Sequence, residues 1–447
     1  MGNPWSPSNP SGTVILRLAE NSLLHDEVVE FFNKQINVQP AEHLTYCTGP
    51  RGSRRLRRAV AALLNDDFQS KEIITADNII ITPGVASAID GLAWSICEDG
   101  DGILIPQPFY NGFTVDLLNR SNARVVGVTY RDIEGYSDLD DLFNPNVNAK
   151  ALEAALCRAK HDGITVKALL ISNPHNPLGR CYPAETLRVF IRFCAENQLH
   201  FISDEIYAKS PFANPAIPSP VPFISTLSLD YQSIIDPSLV HVLYGASKDF
   251  CANGIRLGLV CTKNEGIMGA MSSIGSVLSS QYNLPSLIFE ISRIFSWSPH
   301  LLQDIWAAML EDREWLEKFM TKKAELMAEN YKIATSFFSD RGINYYEMNA
   351  GLFIWVDLRH LFVGNQASQS SGNSGSGVQS SGTTFYQTRE LQIAEICTKN
   401  GVLIAPGSVY VPEELGWFRI TFTLQKVALK EGLERVWKSL QEVEFAQ

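Results

Sequence analysis

Between about residues 75 and 265 the chain alternates short runs rich in β-branched and apolar residues with helix-length amphipathic stretches. Parallel strands need a crossover of about a dozen residues, usually a helix, so this rhythm restricts the segment to an α/β sheet covered on both faces. The predicted strands are 79–82, 102–105, 125–129, 168–172, 200–203, 240–244 and 257–262, a seven-stranded and mostly parallel sheet.

Beyond the sheet, helical spacing dominates residues 282–333, and 312–331 is predicted to be a long helix leading away from it. Strand signals return at 352–356, 402–405 and 417–423. The simplest division gives an N-terminal arm over 1–50 that joins the smaller unit, a large domain over 51–310, and a small α+β domain over 311–447. Residues 363–384 are mostly Ser, Gly, Gln and Asn, which bury too little apolar surface to order themselves, so a disordered insertion is expected there.

Composition removes several classes of function. A net charge of -11 argues against a face that neutralises phosphates, and nucleic acid is not an expected partner. The N-terminus lacks a charged-then-apolar signal and no apolar run reaches about 18 residues, so neither secretion nor membrane spanning is expected. Eight cysteines without CxxC or zinc-ligand spacing fit reduced thiols in the cytoplasm, and no metal is expected. The basic run Arg51, Arg54, Arg55, Arg57 and Arg58 reads as a solvated helix face.

Six segments carry residue types with chemical uses. In YGASKDFCANGIRLG, Lys248 could form an imine with an aldehyde if burial keeps its amine partly neutral, and Arg256 supplies a fork for a phosphate; a surface Ser-Lys turn is the plain alternative. In FISDEIY, a strand delivers Asp204 and Tyr207, a carboxylate to hold a pyridine nitrogen protonated and a phenol for a ring hydroxyl, although Asp204 also reads as a helix cap. SNPHNPLG places Asn176 between prolines, where a plain turn is equally readable. TPGVASA opens a helix whose free N-terminal amides favour a phosphate, although a bare glycine-containing turn is the plain reading. PFYNGF offers Tyr110 to a flat ring or to the core, and GWFRITFT interrupts a β-like run with Arg419, suited to an anion or to an edge strand.

In this order the segments resemble the class I and II aminotransferases of pyridoxal-phosphate (PLP) fold type I, from about Leu16 to Val436. LAENSLL, SDEIYA, SSQYNLPS, AGLFIWVDLRHL, APGS and GWFR are similar to the 1-aminocyclopropane-1-carboxylate (ACC) synthase versions. The resemblance implies an aspartate-aminotransferase-like fold and a homodimer. It also makes Lys248 the Schiff-base lysine, with Asp204 and Tyr207 beside it in catalysis. Ser247, Arg256, Val85 and Ala86 would hold the phosphate, Asn176 and Tyr207 the ring hydroxyl, and Tyr110 would stack on the ring. Arg419, with Asn176, would take the substrate carboxylate, Glu20 would sit near the substrate side chain, and Tyr46 would reach the neighbouring subunit's phosphate. Gly245 and Phe109 depart from the pattern. The activity implied is Cα deprotonation of an amino acid, with S-adenosylmethionine or a related substrate losing or exchanging its Cγ substituent or cyclising. Amino-group transfer to a 2-oxo acid and a non-catalytic family member are the alternatives.

Overall fold

The computed structural model describes residues 3–45, 47–273, 297–362 and 378–445. Strand β1 (Val14–Ile15) precedes the central sheet, which is built from β2 (Ile79–Thr82), β3 (Gly102–Pro106), β4 (Arg124–Val128), β5 (Val166–Ser172), β6 (His200–Asp204), β7 (Val240–Gly245) and β8 (Gly258–Thr262). Their order is β2-β8-β7-β6-β5-β3-β4, and β8 alone runs against its neighbours. All residues of β2, β3, β7 and β8 are buried, which is why these strands read as unbroken apolar runs.

The pleat divides those side chains between two layers. Ile103 and Ile105 pack with Ile89, Leu92, Phe113 and Leu117 from helices Val85–Ile96 and Gly112–Leu118. On the opposite face Leu104, Leu169 and Phe201 meet Leu152, Leu187 and Phe190 from helices Pro145–His161 and Ala184–Asn197. Helix Arg54–Asp66 starts at Ser53, whose hydroxyl accepts the Leu56 amide. Its arginines are less free than the sequence suggests: Arg54 and Arg58 are exposed, but Arg55 bridges Glu311 at 2.6 Å and Arg57 donates to the Ala76 carbonyl.

A second, antiparallel sheet contains β9 (Asn344–Tyr346), β10 (Phe353–Asp357), β12 (Ala405–Pro406) and β13 (Trp417–Thr421), in the order β12-β13-β10-β9. The run 402–405 is not one strand, because β11 (Val402–Leu403) pairs in parallel with β1 while β12 pairs with β13. The long helix is Arg313–Ser339, capped by Asp312 accepting the Trp315 amide at 3.0 Å. Of the expected insertion, 363–377 lies outside the described residues, and 378–384 forms the first turns of helix Val378–Lys399.

The N-terminal segment is laced along the end of β13. Leu16 and Leu18 carbonyls accept from the Thr421 amide and hydroxyl, and Thr423 exchanges bonds with Ser22 and Glu20. Among the described residues no helix is long and apolar enough to cross a membrane.

Candidate active site

The parallel strands end on one edge of the central sheet, the edge where open α/β sheets leave a crevice. β6 brings Asp204 there, the turn after β7 brings Ser247 and Lys248, and Arg256 precedes the reversed β8. Asn176 follows β5, and Tyr110 follows β3. These residues, with Val85, Ala86 and Tyr207, line one cavity of about 220 Å3.

At one end lies an anion cradle. Gly84 has φ +91° and precedes helix Val85–Ile96, whose first amides have no partner within the helix. A side chain at Gly84 would place its Cβ 2.4 Å from Arg256 Nη2, so the glycine lets the guanidinium close over the helix start. Arg256 donates to the carbonyls of Asn253 and Pro83, and no carboxylate among the described residues pairs with it.

At the centre are Lys248 and Asp204. The Lys248 amine donates to the Ala19 carbonyl. Burial, then the Arg419 charge, bring it down to about 8, against the opposing pull of Glu20 and Asp204. Asp204 is 5% exposed and its Oδ1 accepts the Ile206 amide at 3.2 Å. Burial pushes its carboxyl up to about 7, partly countered by that amide and by Lys248. Tyr207 is buried with its phenol raised by desolvation, and its ring meets Phe353 edge-on at 5.7 Å. Tyr110 stands at the wall in edge contact with Phe113.

Arg419, on β13, is 3% exposed. Its guanidinium stacks near the rings of Phe353 and Tyr410, donates to Asn176 Oδ1 at 3.1 Å and to the Arg17 carbonyl at 2.9 Å, and leaves Nε without a partner among the described residues. No ion pair involves it among the described residues. A buried guanidinium with an idle donor is costly alone, and a carboxylate is the ligand that matches it.

Tyr46 lies outside the described residues. Glu20 is close enough to act on the Lys248 charge, yet it lines a separate groove with Trp5, Leu18 and Leu424. Sequence reading also missed several groups. Asp116 lines the cavity, its carboxyl pushed up to about 7 by burial and by Asp90. The Ala19 and Arg17 carbonyls are backbone atoms that no residue pattern announces; Asp116 belongs to an ordinary amphipathic helix and carries no signal of its own.

A separate cluster, His43, His300 and Asp304, has donor atoms close together but is hydrogen-bonded rather than open. The Gln39 amide donates to His43 Nδ1 at 2.8 Å, which leaves the proton on Nε2, facing Asp304 Oδ2 at 2.9 Å.

The family model for class I and II aminotransferases matches residues 6–436. The chain belongs to this family. Family relatives include a probable aminotransferase, sirI, of Leptosphaeria maculans, 31% identical over 96% of this chain and 91% of its own length. A 1-aminocyclopropane-1-carboxylate synthase of Glycine max is 29% identical over 97% of this chain and 82% of the soybean protein. Among solved structures, an aspartate aminotransferase double mutant of Thermus thermophilus superposes with a TM-score of 0.69 at 20% identity, over 96% of this chain and 92% of that one. The fold is therefore that of the aspartate aminotransferases, as the motif order implied. Members of this family are normally PLP-dependent.

Proposed function

We propose that the chain is a PLP enzyme that removes the Cα proton of an amino acid, with an ACC-synthase-like substrate bearing a leaving group at Cγ, such as S-adenosylmethionine. The observation that carries the reading is the buried Arg419, paired with no carboxylate among the described residues, whose charge helps bring the Lys248 amine down to about 8.

The residues fit the cofactor. Arg256, Ser247 and the Val85 and Ala86 amides would hold its phosphate, Asp204 its ring nitrogen, Tyr207 and Asn176 its hydroxyl, and Tyr110 its face. PLP supplies an aldehyde to which amines link and a ring that draws electrons from Cα. Arg419 binds and orients the substrate carboxylate, with Asn176 fixing the fork. Lys248, partly neutral near pH 8, takes the Cα proton at Nζ. Occupation of Arg419 by an anion cancels one of the charges that lower the Lys248 amine, so substrate binding strengthens the base. Glu20, whose charge reaches Lys248, favours a cationic side chain such as a sulfonium and supports the ACC-synthase-like branch. Transamination is the second reading, favoured by the 31% identical probable aminotransferase that aligns over most of both chains.

A homodimer in the cytoplasm is the setting we propose; exposed Val29, Ile36, Val38 and Leu44 support a second copy packing on and around helices His25–Gln35 and Pro40–His43. The decisive experiment incubates PLP-loaded protein with S-adenosylmethionine and follows methylthioadenosine. Its release supports the first reading. Its absence, with an amino acid converted to its 2-oxo acid, supports the second; neither product, with no cofactor held at Lys248, sinks both.

A further inference from the structure

Directly behind Lys248 lies a buried ion pair that the chemistry above does not use. Asp249 has no exposure and Lys323 has 1%. Lys323 Nζ donates to the Asp249 carbonyl at 2.8 Å, touches Met320 Sδ at 3.1 Å and stands 3.5 Å from Asp249 Oδ1. Asp249 Oδ2 accepts two further bonds, from the Lys209 amide at 2.8 Å and the Tyr244 hydroxyl at 2.9 Å. Among the described residues Oδ1 has no hydrogen-bond partner.

Each of those contacts belongs to a segment that carries the site. Lys209 follows Tyr207 by two residues on the loop after β6. Tyr244 lies on β7, just before Ser247 and Lys248. Lys323 comes from helix Arg313–Ser339, which also holds the Phe422 and Leu424 carbonyls through Asn330, just past the β13 strand of Arg419. One carboxylate thus ties the lysine turn to the Tyr207 loop, and its counter-ion ties both to the helix that supports β13. A buried pair contributes little net stability relative to apolar side chains of the same volume, so stability alone does not account for it. Burial raises the Asp249 carboxyl and lowers the Lys323 ammonium, each held back by the other's charge.

We propose that Asp249, neutralised by Lys323, is a positioning residue that fixes the Lys248 amine relative to Tyr207. The proposal rests on the reading of Lys248 as the amine that holds the cofactor. It is tested on two variants of the full chain: Tyr244→Phe, which removes one donor to Asp249 without a charge change, and the apolar pair Asp249→Leu/Lys323→Met, which strands no charge. The readouts are the rate at which the cofactor-stripped protein takes up PLP at Lys248, the pH midpoint of the bound cofactor's visible absorption, and the melting temperature.

The expected result is uptake slowed about ten-fold, as for a reacting group displaced by a fraction of an ångström, with a shifted pH midpoint. Tyr244→Phe should show both while still melting cooperatively close to the parent. Parent uptake rate and parent midpoint in a folded Tyr244→Phe would overturn the proposal, as would the same result in the apolar pair. Borohydride reduction of the loaded parent, with peptide mapping, separates the two levels: a parent that carries PLP elsewhere than Lys248 overturns both readings, whereas labelling at Lys248 with unperturbed variants overturns this one alone.

Discussion

Lys248 and Arg419 set each other's behaviour. Burial first, and the Arg419 cation second, depress the Lys248 amine to about 8. Replacing Arg419 with methionine removes a cation, so the amine of the stripped protein should titrate higher, as read by pH-dependent labelling of Lys248 with an amine-reactive probe. The same change removes a charge-assisted fork for the substrate, worth about 1.5–3 kcal/mol, or roughly a 10- to 100-fold loss in kcat/KM. An unchanged labelling midpoint would mean that the two charges do not communicate. Sequence reading reached both residues because each breaks its local pattern: a lysine closing an apolar strand and an arginine inside a β-like run. It could not reach the Ala19 carbonyl, which meets the lysine amine only because a distant threonine ladder holds the N-terminal segment in place.

At the level of elements, the turn between β2 and helix Val85–Ile96 has no slack. Gly84→Ala must adopt φ +91° and push the Arg256 guanidinium aside. The strained backbone costs about 1–3 kcal/mol, and PLP affinity should fall with it, measurable by equilibrium dialysis of the loaded protein. Thr421 and Thr423 offer a gentler perturbation. Valine at either removes a hydroxyl bond to the Leu18 or Glu20 carbonyl, costing about 1 kcal/mol each in denaturant unfolding. Most strands of the central sheet were legible because burial on both faces makes them largely apolar, whereas the half-exposed β4 was legible through its valines. By contrast β1, β11 and β12 have two residues each, too few to show a period, and the break at Ile404 is decided by which distant strand each half meets.

For the whole molecule, two buried carboxyls, Asp204 in the cavity and Glu205 next to it in the chain, store unfavourable charge. Burial raises the Asp204 and Glu205 carboxyls to about 7, well above their unfolded values near 4. A raised carboxyl contributes stability that is complete below its unfolded pKa and is lost as pH rises through its folded pKa. The stripped protein should therefore weaken between about pH 4 and 8, with Asp204 alone accounting for a few kcal/mol. Asp204→Asn should flatten that slope in urea titrations while abolishing function; an equally steep slope in the variant would remove Asp204 as its source.

The lacing of residues 16–22 onto β13 has a further consequence for control. Asn21 is buried and the strip before it is held by β11 and by Thr421 and Thr423, so a protease reaches this segment only after it has peeled from β13, a movement that withdraws the Ala19 and Arg17 carbonyls from Lys248 and Arg419. Nicking near Asn21 is therefore a gauge of local peeling at the site, and its rate should fall when an anion occupies Arg419 and ties the strip down.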